Sequence, residues 1–257
     1  MSDGSGRLAT RVIARLDIKG PNLVKGIQFE GLRVMGDPSE HALRYYREGA
    51  DELLYIDIVA SLYERNSLID VVSRTANEIF VPLTVGGGVR KLEDITELLR
   101  AGADKVAINT AAVRRPELIT EASRTFGAQC IVVSIEAKRR KGGGWEAFTD
   151  NGRERTGMDA VDWAERAVDL GAGELLVTSV DMDGTRRGFD LDLVASIGPR
   201  VGVPVIAGGG AGSIADVVSA AQAGADAIAV ASLLHGEIES IGSIKAGLAR
   251  GGFEVRG

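Results

Sequence analysis

Short apolar, β-branched runs alternate along the chain with stretches whose apolar residues recur at helical spacing. The runs at 12–17, 52–58, 81–86, 105–109, 130–136, 174–180, 203–208 and 227–232 have the length and composition of strands. Between them, 38–49, 66–79, 92–102, 116–127, 158–171 and 213–224 carry apolar residues near helical spacing. Several of these begin at Ser, Asp or Pro and stop at Gly, the expected helix boundaries. Strands separated by helices pair in parallel. Eight units in 257 residues come to about 32 residues each, leaving nothing for a second domain. The pattern predicts one (β/α)8 barrel domain over residues 1–257, with an open doubly wound sheet as the alternative.

An internal repeat favours the barrel. GADELL at 49–54 recurs as GAGELL at 171–176, PLTVGGGV at 82–89 as PVIAGGGA at 204–211, and AGADKVAINTA at 101–111 as AGADAIAVASL at 223–233. All three pairs share an offset of 122 residues, so two four-unit halves, about 11–125 and 130–250, close into eight strands. Two segments stand outside this scaffold. Residues 20–38 read as a long glycine-rich connection, and residues 142–157 as a hairpin turning at Asn151-Gly152. Both follow strand C-terminal ends, the face where barrel enzymes build their sites.

Composition narrows the chemistry. One cysteine excludes a disulfide framework and fits a reducing, cytoplasmic compartment, and two histidines leave little for a metal site. A net charge of -6 argues against nucleic-acid binding driven by overall charge. No apolar run approaches the ~18 residues of a membrane span, and the N-terminal segment carries no apolar signal core. The 34 glycines are nearly twice the usual share and imply tight turns or close backbone approach to ligands.

Two glycine triplets end the third and seventh predicted strands, at Gly86, Gly87, Gly88 and at Gly208, Gly209, Gly210. Each is followed by a strand ending in small residues, Asn109-Thr110 or Ala231-Ser232. Backbone N–H groups there can approach an anion, so the paired motifs predict two phosphate pockets and a substrate with a phosphate at each end. Plain turn chemistry is the other reading. Asp17 and Glu136 end the first and fifth strands, opposite each other in a barrel of eight, where two acids can divide general acid and base work. Strand-end carboxylates also serve simply as solvated or capping groups. Asp57, Asp181 and Asp183 fall at strand ends too, making the mouth acidic.

Arg15 lies two residues before Asp17 and so points into the lumen, where it pairs with an acid or recognises an anionic substrate group. Beside Asp17 it would lower that acid's pKa. Cys130 is expected in the core at the start of a strand, Trp145 to pack across its hairpin, and His41 to sit exposed on a helix. His235 receives no role.

These residues carry a resemblance. From about Arg11 to Arg256 the chain resembles the cyclase subunit of imidazole glycerol phosphate synthase, through LDIK, VKG, GDP, GADEL, TVGGG, GADKVAINTAA, LITE with TFG, TSVDMDGT, GGAGS and GADA. The resemblance implies a lyase of histidine biosynthesis. It would take ammonia from a separate glutaminase subunit docked at the N-terminal barrel face. With that ammonia it would convert a bis-phosphorylated aminoimidazole carboxamide ribulosyl intermediate to imidazole glycerol phosphate and an aminoimidazole carboxamide ribotide. It implies no cofactor and no metal. It assigns Asp17 as one of two catalytic aspartates, Lys25 as a mobile lysine closing over substrate, and Lys19 as another loop lysine. Arg11, Glu52, Lys105 and Glu174 match its ring of gating charges, and Asp104 an acid of the glutaminase interface. The substrate and phosphate set is then Lys25, Gly87, Gly88, Asn109, Thr110, Asp183, Gly209, Gly210, Ala231 and Ser232. Two lumen positions depart from the family. Glu136 stands for the second aspartate, adding a methylene and about 1.5 Å of reach. Arg15 stands where a small residue, commonly cysteine, is usual. Barrels resembling this family also occur as paralogues thought to deliver ammonia for sugar amidation in surface-polysaccharide pathways, and the altered acid pair keeps that alternative open.

Overall fold

The computed structural model describes residues 9–59 and 68–257. The N-terminal segment read for a signal, and the first two residues of the 66–79 helical stretch, lie outside these. Eight strands close in parallel in the order β1 (Arg11–Lys19), β4 (Glu52–Asp57), β5 (Leu83–Gly86), β6 (Lys105–Ile108), β7 (Ile131–Arg139), β10 (Glu174–Ser179), β11 (Val205–Gly208) and β12 (Ala227–Val230). The last pairs back onto the first, Arg11 against Ala227, so the open-sheet alternative is excluded. Helices return the chain between successive strands, among them Pro38–Arg47, Ile69–Ala76, Leu92–Arg100, Glu117–Phe126, Ala160–Asp169, Leu191–Ile197, Ile214–Gln222 and Ile241–Arg250. Their starts are chemically marked. Asp37 accepts from the N–H groups of Ser39 and Glu40 with Pro38 in the first turn, and Asp159 does the same for Val161 and Asp162.

Strand alternation separates two apolar groups. Along β1, Val12, Ala14, Leu16 and Ile18 face the surrounding helices, whereas Ile13 belongs to an inner cluster with Leu54, Ala107, Val132, Leu176, Ile206, Ala227 and Ala229. Arg11, Arg15 and Asp17 share the inward parity of Ile13. The lumen is therefore tiered: charges at the strand N-termini, an apolar layer, then a polar layer leading to the mouth.

The repeated Gly-Ala-Asp acquires a physical role. Asp51, Asp104 and Asp226 each immediately precede a barrel strand and accept a hydrogen bond from a residue at the start of another strand. The donors are Val12 N–H at 2.7 Å, Leu83 N–H at 2.8 Å and Val205 N–H at 2.9 Å. The side chain satisfies a backbone donor at the rim that the stagger of the barrel leaves unpaired. Asp51 also accepts from Lys245 Nζ at 2.7 Å, pinning the last helix to the first strand.

Three expectations are corrected. Residues 20–38 are not an irregular connection but a second hairpin, β2 (Asn22–Ile27) and β3 (Glu30–Gly36), which extends β1 over the mouth. Its two-residue turn is Gln28-Phe29, both at positive φ, a turn normally signalled by Asn-Gly; hence the missing cue. Cys130 lies in a 3₁₀ turn before β7 and is only half-buried, because the strand begins one residue later. His41 is half-buried, its Nδ1 2.9 Å from the Asp37 carbonyl. Trp145 begins β8 (Trp145–Thr149), the strand that β9 (Glu154–Asp159) pairs; it stands cross-strand from Arg139, which lies over its ring, and its Nε1 donates to Asp190 at 2.8 Å.

Asp51→Ala should therefore cost about 1–3 kcal/mol, because it orphans the buried Val12 N–H and leaves Lys245 Nζ with only the Arg256 carbonyl. Asp226→Ala should cost only about 0.5–1.5 kcal/mol, losing one hydrogen bond at an exposed position. Urea denaturation midpoints of the two variants compare the effects.

Candidate active site

Inward parity and the closure of the barrel put Asp17 of β1 and Glu136 of β7 on opposite walls, four strands apart either way. Both are buried, and their surroundings push them in opposite directions. Asp17 Oδ1 accepts from Arg15 Nε at 2.8 Å and Oδ2 from Lys25 Nζ at 3.0 Å. Burial alone would raise its pKa, but the two cations outweigh burial and hold it well below the usual carboxylate range. Burial dominates at Glu136 and pushes it up to about 7, against the opposing influence of the Gly152 N–H, Arg15 and Asn109. At neutral pH one wall thus carries a carboxylate and the other a carboxyl group that is protonated about half the time.

The extra methylene of Glu136 has a visible use. Its Oε2 accepts from Gly152 N–H at 2.7 Å, across to the turn of the β8–β9 hairpin. That turn was legible as Asn151-Gly152, but its place in the site was not. Asp150 and Asn151 line the same cavity as Glu136, and Asn151 Nδ2 is buried there without a hydrogen-bond partner among the described residues.

Around these acids lie two cavities. The first, about 370 Å³, brings together Gly87, Gly88, Asn109 and Thr110 with Arg114, Arg115 and Glu136. Gly87 is required where it is: at φ 98° it packs on the Asp57 backbone, which a side chain would overlap. The second, about 760 Å³, is lined by Lys25, Ser232 and His235 with Gly184, Thr185 and Arg186. Gly209, Gly210 and Ala231 are buried and line neither. The Gly210 carbonyl accepts from Gly188 N–H at 2.9 Å, so the loop after β10 covers this turn. The two glycine triplets are equivalent in sequence but unequal in exposure.

Lys25 reaches the site because the β2–β3 hairpin folds across the mouth. Its Nζ bridges Asp17 to Asp183, at 2.9 and 3.0 Å from the two Asp183 oxygens. Gln28 anchors the hairpin tip, donating from its backbone to Asp183 O at 2.8 Å and from its side chain to Asp181 O at 2.9 Å. Lys19 is exposed at the end of β1 and lines neither cavity. His235, given no role from sequence, is buried in the wall of the second cavity with Nδ1 2.6 Å from the Tyr45 hydroxyl. Burial lowers its pKa to about 3, and burial raises that of Tyr45 to about 12, so the phenol donates and Nδ1 accepts. An isolated histidine after a strand gives no sequence cue to this.

At the opposite end of the lumen, four charges from four strand starts form a closed square. Arg11 meets Glu52 at 2.8 Å and Glu174 at 3.2 Å; Lys105 meets the same two acids at 2.9 Å each. Thr84 Oγ1 donates to the remaining Glu52 oxygen. Charges alternate around the square and cancel, which is what allows four ionised groups to sit at the edge of an apolar interior. Asp104 is exposed beside this end.

Comparison with known proteins agrees with this construction. A family profile described as histidine biosynthesis protein matches residues 11–239. The imidazole glycerol phosphate synthase subunit HisF of Legionella pneumophila is 60% identical over 204 residues, 79% of this chain and 96% of that protein. The subunits of the same name from Mycobacteroides abscessus and Streptomyces coelicolor are 51% and 52% identical, each over 97% of this chain and 99% of the relative. Identity at that level across nearly the whole barrel places the chain in the histidine biosynthesis protein family, among its HisF subunits.

Proposed function

We propose that the chain is the ammonia-using cyclase subunit of an imidazole glycerol phosphate synthase, a lyase acting in histidine biosynthesis. The observation that carries this reading is the divided acid pair. Fixing ammonia at a carbonyl carbon takes a proton from nitrogen and gives one to the departing oxygen. A permanent carboxylate and a carboxyl group with a pKa near 7 on facing walls meet those two needs. In this reading Asp17 is the base and Glu136 the acid. The first cavity takes one phosphate at Gly87, Gly88, Asn109 and Thr110, with Arg114 and Arg115 at hand. The second takes the other near Ser232, with Lys25 and Asp183 closing over the substrate; Gly209, Gly210 and Ala231 support that wall from behind.

The relatives are named as subunits, and this chain works as one too. Its partner is a glutaminase docked beside Asp104 at the N-terminal face. Ammonia from that partner enters through the square of Arg11, Glu52, Lys105 and Glu174 and follows the apolar lumen to the acids. The reaction is cytoplasmic; no helix among the described residues is long and apolar enough to cross a membrane. Residues 1–257 make one domain of two related halves, 11–125 and 130–250. Supporting that division, Asp104 and Asp226 make the same rim bond 122 residues apart. The sugar-amidating alternative draws on Glu136 and Arg15, but the relatives above carry the histidine-pathway name.

Complementation of a strain lacking the histidine cyclase tests the reading: growth without histidine supports it, and failure of a well-expressed protein to restore growth removes it. Asp17→Asn should reduce turnover by ~10²–10⁴-fold while sparing substrate affinity. Lys105→Ala leaves Glu52 and Glu174 sharing one cation, and should uncouple glutamine hydrolysis from product while sparing turnover with free ammonium salt. Equal losses with both nitrogen sources would contradict a gate.

Glu136 also predicts a pH-dependent stability. Its folded pKa is raised from the ordinary 4.5 to about 7, so in that window the native state holds a proton that the unfolded chain has lost. Stability therefore falls as pH rises from about 4.5 to about 7 and levels off above. Glu136→Gln removes this loss. Its stability relative to the unmodified protein, from urea unfolding, should be higher at pH 8 than at pH 4, by at most about 3 kcal/mol.

A further inference from the structure

Arg15 remains unused by the mechanism, although it is 4% exposed and lies in the polar tier directly beneath the acids. Its guanidinium spans the lumen. Nε donates to Asp17 Oδ1 on β1 at 2.8 Å, and Nη1 donates to Thr178 Oγ1 on β10 at 3.2 Å. Those two strands are not neighbours in the barrel. Gly208 of β11 leaves room for the accepting hydroxyl: a Cβ there would crowd Thr178 Oγ1 at 2.9 Å, while standing at ordinary contact, 3.7 Å, from Nη1. Phe29, at the tip of the β2–β3 hairpin, closes the opposite side, its ring centroid 5.6 Å from the guanidinium carbon.

The two oxygens of Asp17 are therefore held by two cations of different standing. Lys25 belongs to the β2–β3 hairpin, which joins the barrel only along the end of β1, and in the cyclase reading it closes over the substrate. Arg15 belongs to a barrel strand paired on both sides. We infer that Arg15 is a positioning residue that keeps Oδ1 occupied and reserves Oδ2 of Asp17 as the reacting oxygen, so the carboxylate stays charged and aimed when Lys25 leaves. This rests on the cyclase reading only for the word reacting; the clamp itself is a property of the empty protein.

The charge balance agrees. Asp17 is faced by Arg15 on its own strand, by Lys25 from β2, by Asp183 from the loop after β10, by Glu136 from β7 and by His235 from the short helix after β12. The first two are cations, the next an acid, Glu136 is about half protonated at neutral pH and His235 is neutral. With Lys25 withdrawn, Arg15 is the remaining cation of this group. With both removed, a buried carboxylate facing Asp183 favours its proton.

The test is a carbon-13 titration of the Asp17 carboxyl in the substrate-free protein between about pH 4 and 9, with Asp17→Asn assigning the signal. The unmodified protein and Lys25→Ala should both show Asp17 ionised throughout. Arg15→Cys combined with Lys25→Ala should bring its titration into the window, a rise of at least about one pH unit. Asp17 titrating in Lys25→Ala with Arg15 present would overturn the inference, as would a doubly substituted protein in which it stays ionised. The Lys25→Ala arm alters no barrel strand and can overturn the inference even if Arg15→Cys fails to fold. The acid limb of kcat/KM should follow the same pattern across the set. Absence of turnover of the bis-phosphate in every protein would end the cyclase reading while the titration still judged Arg15.

Discussion

A charge inside a closed barrel must be neutralised by a neighbour in the same tier, because the walls offer no water to share the work. This requirement organises the lumen. At the lower end it produces the square of Arg11, Glu52, Lys105 and Glu174, in which every ion touches two of opposite sign. At the upper end it produces the chain Arg15–Asp17–Lys25–Asp183. Glu136 has no ion-pair partner among the described residues and answers the same requirement by taking up a proton, which is why the two acids divide. The asymmetry that the chemistry needs thus comes from which acid received a partner.

The scaffold was legible because its signals are local and periodic. Each strand run is short and apolar, several helix starts carry a side-chain cap, and a common offset ties the halves. The β8–β9 hairpin was legible from Asn151-Gly152. The β2–β3 hairpin was not, because Gln28-Phe29 takes up positive φ values only where Phe29 can bury its ring against Val180 and Gly152 and where Gln28 can bond the loop after β10. That is tertiary support, invisible in a six-residue window. His235 escaped notice for the same reason: its partner, Tyr45, lies 190 residues away.

The site was legible in its members and less so in its geometry. Parity placed Asp17, Arg15 and Glu136 on the lumen side, and the repeat singled out both glycine turns. Sequence equivalence, however, does not carry exposure. Gly87 and Gly88 line a cavity, whereas Gly210 is covered by the loop after β10, whose Gly188 N–H bonds its carbonyl. The departure at Glu136 also became intelligible only with the hairpin in place. The longer acid ties the mouth of the barrel to the backbone at Gly152.

The apolar collar of Ile13, Leu54, Ala107, Val132, Leu176, Ile206, Ala227 and Ala229, set between two charged tiers, has a consequence for whatever travels the proposed route. It offers no acceptor to a cation, so it sorts by protonation state rather than by size. Ammonium would have to shed its hydration with nothing in return, and it would leave its proton behind before the collar. Free ammonia, small and uncharged, loses little there. Nitrogen would then arrive beside Asp17 with its lone pair already available, the proton of any ammonium having been left in the water outside the collar.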